Sequence, residues 1–249
     1  MAPSPILHLL TTTSTMDDAR RLVEQGDTTT QIVMADAQTA SRGRHNRPWL
    51  TFGAPYSLQA TYILHPAVGP HLPLIVALAL HEAVLAHTNG QNLSIKWPND
   101  LLLNGKKLAG ILCQNIGAGV SLIGIGLNIS PPAEIPTTFQ GTFLTTPNAA
   151  IPTPQSLAEV IAACLTPLIA LYGKEGWSQS LHNSYLQRCT TIGQNIRWKV
   201  PQQGGNGAVN QELTGLARGL TPSGHLEMVA EDGTVHVIHS GEIFDRSHE

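Results

Sequence analysis

The chain has 249 residues, enough for one large domain, or a large one with a small companion, around a core of ordinary size. With 42% hydrophobic and only 12% charged residues it is globular and rather apolar, so disorder is not the default reading. A net charge of −3, with 14 Lys plus Arg and no basic tail, argues against nucleic-acid binding as a main role.

The 3 cysteines, Cys113, Cys164 and Cys189, are far apart and form no CxxC pair, as expected of reduced thiols in a cytoplasmic protein. The N-terminus, MAPSPILHLLTTTST, carries no cationic segment ahead of its short apolar run and does not read as a signal peptide.

Ile6 to Leu10 predicts a first strand. Ser14-Thr15-Met16-Asp17-Asp18 then reads as a helix start: Ser14 or Thr15 can cap, and the two aspartates suit the first turn. Ala19, Leu22 and Val23 share one face before Gly26 ends the helix. Gln31 to Asp36 is a second strand, and Gln38 to Trp49 a loop in which Arg42, Arg44 and Arg47 cluster with Gly43 and Asn46. Such a cluster is usually a solvated surface loop. It also suits a lid, because guanidinium forks grip carboxylate and phosphate oxygens two at a time.

Tyr56 to Leu64 alternates cleanly and predicts a half-buried antiparallel strand. Leu72 to His87 is apolar almost all round, so it predicts a core helix ended by Asn89-Gly90. Its Pro73, His81, Glu82 and His87 leave too short an apolar run to span a membrane. His81 and His87 are not a zinc pair, since residues six apart on a helix point about 240° away from each other.

Ser94 to Cys113, SIKWPNDLLLNGKKLAGILC, reads as two short strands joined at Asn104-Gly105, a strong hairpin signal. Pro98-Asn99-Asp100 interrupts the first, because proline has no N–H for the ladder. Asn99 and Asp100 are thereby presented opposite a strand that brings Lys107 back towards them. A carboxylate, an amide and an ammonium on rigid strands suit a site that handles phosphate and carboxylate charge.

Val120 to Ile129, VSLIGIGLNI, is another strand, in which Gly124 and Gly126 point either to close approach of a ligand or to tight packing against a helix. The chain contains neither GxGxxG nor GxxxxGK[ST], so Rossmann and P-loop nucleotide binding are not indicated. Pro131 to Pro154 is a long connection, Ser156 to Leu171 an amphipathic helix that Pro167 should kink or interrupt, and Gly176 to Arg188 a second helix. From about Thr190 the pattern changes to short strands, Asn195 to Val200, Glu212 to Leu220, Leu226 to Ala230 and Val235 to Ile238, spaced as in a small β-barrel. His236 and His239 should point to opposite faces, which argues against a metal site there.

KWPND followed by GKKLAGIL resembles the signature of biotin protein ligases, and two further blocks match in order: Ser14-Thr15 ahead of QTASRGRHNRPW, and IGIGLNI behind. The resemblance is close over residues 11 to 130 and looser beyond. It implies an α+β fold: a mixed β-sheet flanked by helices, of the class II synthetase-like type, in residues 1–190, and a small C-terminal SH3-like β-barrel in residues 191–249. It also implies an ATP-dependent enzyme that makes biotinyl-5′-AMP, with Mg2+ accompanying ATP, and transfers biotin to a lysine of a biotin carboxyl carrier domain. On this reading Lys107, Arg42 and Asp100 are catalytic. Ser14, Thr15, Gln38, Arg42, Gly43, Arg44, Lys107 and Gly110 bind biotin, with Gly126 also in the pocket wall. Arg42, Arg44, Trp49, Asn99, Asp100, Lys107 and Asn128 bind the nucleotide.

Met16 stands where the family often has Asn, Ser41 where it has Gly, and His45-Asn46 where Arg-Gly is common. Only 13 residues precede Ser14, too few for the DNA-binding domain of some relatives, so a ligase-only form is expected, with no nucleic-acid or membrane partner. Relatives dimerise through a sheet edge, which makes a homodimer one expectation, although no segment here marks an interface. The alternatives are a lipoate ligase or octanoyl transferase of the same fold, which the RGR lid and KWPND disfavour, and a non-catalytic biotin-binding regulator, which would have lost the lid arginines or Lys107.

Overall fold

The computed structural model describes residues 4–88, 90–117, 119–145, 151–199, 212–239 and 242–245. Asn89, Val200 and the 146–150 part of the long connection, which entered the expectations above, lie outside the described residues. The chain divides into two compact units, Met1–Gly176 and Trp177–Glu249.

The first unit is built on seven strands: β1 (Ile6–Thr12), β2 (Ile32–Gln38), β3 (Ser57–Leu64), β4 (Leu93–Lys96), β5 (Asp100–Leu103), β6 (Lys106–Ile116) and β7 (Val120–Asn128). They lie in the order β1-β2-β3-β7-β6-β5-β4. β1 and β2 are parallel and every other neighbouring pair is antiparallel, so the sheet is mixed. Three helices flank it: α1 (Thr15–Glu24), α2 (Leu72–Leu85) and α3 (Pro154–Glu175).

The helices cover both faces of β3. The Thr61 hydroxyl bonds Thr15 at the head of α1, and that of the next residue, Tyr62, donates to the Ala158 carbonyl of α3 at 3.1 Å. Successive strand residues point to opposite faces, so α1 lies on one side of the sheet and α3 on the other. The expectation of a half-buried strand is therefore corrected: residues 57–63 are all buried, because β3 is central and doubly covered. The same burial raises the Tyr62 pKa.

The stretch from Ser94 to Cys113 holds three strands, not two. At Trp97-Pro98-Asn99 the chain reverses, so β4 and β5 pair antiparallel with Lys96 opposite Asp100. The missing proline N–H ends the ladder, as expected, but the chain turns back instead of resuming its direction. The Asn104-Gly105 turn has both residues at positive φ, 51° and 75°, the left-handed pair that a two-residue hairpin needs.

α2 is buried nearly throughout. α3 is long and apolar enough to cross a membrane by length and composition alone, yet it rests on α2 and β3 through Leu157, Ala158, Ile161 and Leu165. Pro167 does not interrupt it; the ring sits on an exposed side, where the carbonyl left without a donor can meet water. Gly176, expected to open the next helix, instead closes α3 at a φ of 65°.

The second unit contains α4 (Gln179–Leu186) and five antiparallel strands: β8 (Asn195–Lys199), β9 (Glu212–Leu220), β10 (Leu226–Ala230), β11 (Val235–Ile238) and β12 (Glu242–Asp245). Their order is β11-β10-β9-β8-β12, around a core that includes Ile196, Ala217, Leu226, Met228 and Ile238. This sheet is consistent with a small SH3-like domain. β12 was not anticipated.

Candidate active site

One transverse row of the first sheet forms a floor. Gln59 of β3 faces Gly126 of β7, Gly126 faces Gly110 of β6, and Gly110 faces Asp100 of β5. Cross-strand partners share a face. On that face lies the indole of Trp49: a Cβ added at Gly126 would come within 2.5 Å of Trp49 Nε1, and one at Gly110 within 3.1 Å of the same ring. The glycines thus make room for a flat group at the sheet surface. At Gly124, two residues before Gly126, the neighbour is Met16 of α1, so there the glycine serves helix packing.

Lys107 reaches this floor because β6 is irregular. Lys107 and Gly110 are three positions apart, which in a regular strand would put them on opposite faces. The β5–β6 register shifts, however: Leu101 faces Ala109 while Leu102 faces Lys107, and Leu108 is the extra residue. Such a bulge turns the side chain to the other face. Lys107 Nζ accordingly stands 2.8 Å from Asp100 Oδ1 and 5.2 Å from the centre of the Trp49 ring. Asp100 Oδ1 is buried and takes no hydrogen bond of good geometry among the described residues, so its compensation there is this ion pair.

Arg44 joins the same end. Its Nη1 donates to Asn99 Oδ1 at 3.1 Å. Asn99 is itself fixed by exchange with Ile111, whose carbonyl accepts from Asn99 Nδ2 and whose N–H donates to the Asn99 carbonyl, both at 2.9 Å. Burial lowers the Arg44 pKa, and the Asp100 charge partly offsets this. Asn128, at the end of β7, donates to the Thr142 carbonyl at 3.1 Å, while its Oδ1 is buried without a hydrogen-bond partner among the described residues. Beside it Phe52, Phe139 and Phe143 cluster with ring centres 5.1 to 5.3 Å apart.

The other end of the floor is neutral. Gln38 Oε1 accepts from the Thr15 N–H at 2.7 Å and from the Thr15 hydroxyl at 3.2 Å, and the Thr61 hydroxyl donates to Thr15 at 2.9 Å. Gln59 Nε2 donates to the Asp36 carbonyl at 3.3 Å, leaving Gln59 Oε1 buried and without a partner among the described residues. Ser14 occupies the cap position of α1, but its buried hydroxyl makes no capping bond. The expected side-chain cap is therefore absent, and the backbone carbonyl of Ser14 serves the first turn instead.

The 41–49 loop is tied at its base by Trp49 N–H to the Ser41 carbonyl, 3.1 Å, and by the Ser41 hydroxyl to the Trp49 carbonyl, 2.6 Å. Higher up, the Gly43 N–H donates to the Arg47 carbonyl at 2.8 Å. His45 and Asn46 turn the tip with φ of 56° and 57°, a region Asn and His enter more readily than most residues. Arg42 leaves the loop towards α1, where Asp17 binds it with both carboxylate oxygens.

The sequence-derived residues thus separate into groups. Lys107, Asp100, Asn99, Arg44 and Trp49 meet at the cationic end; Thr15 and Gln38 meet at the neutral end; Gly110 and Gly126 lie between; Arg42 is engaged by Asp17. Sequence reasoning missed Gln59, Thr61 and Asp17. The signal for the first two was present, because the second face of β3 reads Ser57, Gln59, Thr61, polar yet uncharged, unlike an ordinary solvent face.

Residues 8–130 match the biotin/lipoate A/B protein ligase family, and residues 206–246 match the biotin protein ligase C terminal domain. Biotin--[acetyl-CoA-carboxylase] ligase of Paracoccus denitrificans is 31% identical over 230 residues, covering 85% of this chain and 89% of that one. The enzyme of the same name from Mycobacterium tuberculosis is 30% identical, covering 85% and 77%. The fold matches biotin protein ligase from Aquifex aeolicus in complex with biotin and ATP, with a TM-score of 0.78, 24% identity and coverage of 97% and 98%. It also matches the Leishmania major biotin protein ligase in complex with biotinyl-5-AMP, with a TM-score of 0.64, 28% identity and coverage of 95% and 99%. This chain belongs to the biotin protein ligase family and is a ligase.

Proposed function

We propose that the protein activates biotin as biotinyl-5′-AMP at the expense of ATP and transfers it to a lysine of a biotin carboxyl carrier domain, in the cytoplasm. The observation that carries this reading is the polarity of the floor: neutral hydrogen-bonding groups at one end, two cations at the other, and two glycines between. A neutral, polar bicyclic head with an anionic tail matches that order. Thr15, Gln38, Gln59 and Thr61 would take the ureido head, and Lys107 and Arg44 the carboxylate and the α-phosphate.

The chemistry requires cations at that point. Attack of a carboxylate oxygen on the α-phosphorus brings two anions together and expels pyrophosphate, and fixed positive groups lower the cost of the charge that develops. The mixed anhydride then gives a carrier lysine a good leaving group, AMP. Asp100 stands beside the reacting carbon's place and can orient the incoming amine. Asn128 and the aromatic cluster next to it form the nucleotide side. Magnesium enters with ATP as part of the substrate, held mainly by phosphate oxygens and water.

The test is biotinylation of a purified carrier domain with ATP and magnesium, comparing wild type with Lys107→Ala. Transfer by wild type and its loss in the variant support the reading. Formation of biotinyl-AMP without transfer would retain the first step and reject the carrier. Biotin binding with neither step would overturn the ligase mechanism.

A further inference from the structure

We propose that Asp17 is a positioning residue for the 41–49 loop, holding Arg42 as a fixed strut so that, of these two arginines, Arg44 is the one that moves to meet the substrate's anionic groups. This deepens the ligase reading and rests on it for the identity of the anions.

The two arginines differ in what holds them. Arg42 is held by a carboxylate at two points, Nη1 to Oδ2 at 2.8 Å and Nη2 to Oδ1 at 2.5 Å. Arg44 makes one side-chain bond among the described residues, donated at 3.1 Å to the neutral amide oxygen of Asn99. A guanidinium chelated by a carboxylate gives up two charge-assisted bonds to change partner, whereas one resting on an amide gains charge complementarity by moving to a phosphate or carboxylate oxygen. Asp17 holds down the Arg42 side of the loop and follows Met16 and Thr15, so this anchor lies at the neutral end. Asn99 holds the Arg44 side at the cationic end. The loop is thus fastened on both its Arg42 and its Arg44 side, and of these two fastenings the one to Asn99 exchanges more readily.

Asp17 has another role to be separated from this one. An acid in the first turn of α1 favours the helix by its charge, and Arg20 lies close enough to act on the same carboxylate. Exchanging the charges distinguishes the two, because an arginine at position 17 opposes the helix but restores the pair.

The experiment is limited trypsin digestion of the full-length, unliganded protein, following cleavage after Arg44 by mass spectrometry. The Arg47–Pro48 bond is resistant to trypsin, which simplifies the readout. Asp17→Asn should speed cleavage after Arg44 by about three- to five-fold, the scale of a partly exposed pair. The exchanged variant Asp17→Arg/Arg42→Asp should return towards the wild-type rate. Unchanged cleavage in Asp17→Asn overturns the proposal, and so does acceleration that the exchange fails to reverse. Protection of the same bond by biotin with ATP is read separately in wild type: its absence would count against the ligase reading and leave the Asp17 assignment standing.

Discussion

Gly110 and Gly126 face each other across the β6–β7 ladder, and one indole, that of Trp49, lies over both. A methyl group at Gly126 would need the space of Trp49 Nε1, whereas at Gly110 it would meet the ring edge at 3.1 Å. Gly126→Ala should therefore cost about 1–3 kcal/mol and weaken biotin binding, with Gly110→Ala milder on both counts. Thermal melts and calorimetric titration with biotin check the order; equal effects would mean that Trp49 moves aside freely.

Lys107→Ala removes a cation from the proposed reacting centre and leaves Asp100 Oδ1 buried without its ion pair. Pyrophosphate release should fall by about two orders of magnitude or more, the usual scale for losing one group that stabilises developing charge. Stability should fall too, and adding Asp100→Asn should restore part of it, since an unpaired buried carboxylate is the costly element. A double variant no more stable than Lys107→Ala would show that Asp100 is relieved by water.

Thr61→Val keeps the shape of a buried residue but removes the hydroxyl that donates to Thr15. The expected loss is about 1 kcal/mol in folding. Because Thr15 and Gln38 would no longer be aligned, KM for biotin should rise more than kcat falls. A variant with unchanged KM would place Thr61 outside biotin recognition.

Among the described residues three carboxyls lie below their ordinary pKa of 3.8: Asp17 through the hydrogen bond from Arg42, Asp27 through the Thr30 amide and hydroxyl, and Asp232 through the Thr234 amide. Depressed folded values mean stability that is present above 3.8 and lost as pH falls through the folded pKa. The melting temperature should drop between about pH 5 and pH 2, and Asp27→Asn should flatten part of that drop. An identical slope in the variant would show that other groups govern acid unfolding.

Much of the fold was legible because the chain states it locally. Alternation marked β3, regularly spaced short segments marked β8 to β11, an all-apolar run marked α2, and Asn104-Gly105 marked its hairpin. What escaped depends on partners remote in sequence. The reversal after Lys96, the shifted register at Leu108 and the burial of β3 on both faces are decided by neighbouring strands and helices, not by the residues alone. In the site, spacing brought Lys107, Asn99 and Asp100 together. It could not separate Arg42 from Arg44, which share type and loop; only the path of the loop sends one to Asp17 and the other to Asn99.

The floor takes its residues from β3, β7, β6 and β5, so Gln59 must find Gly126 before either can serve. That contact closes a long loop of chain, and contacts of such separation form slowly because ordering comes before reward. The proposed catalytic surface is thus a late product of folding: a nascent chain that stops before Val120 carries Lys107, Arg42 and Arg44, yet has no surface on which to use them.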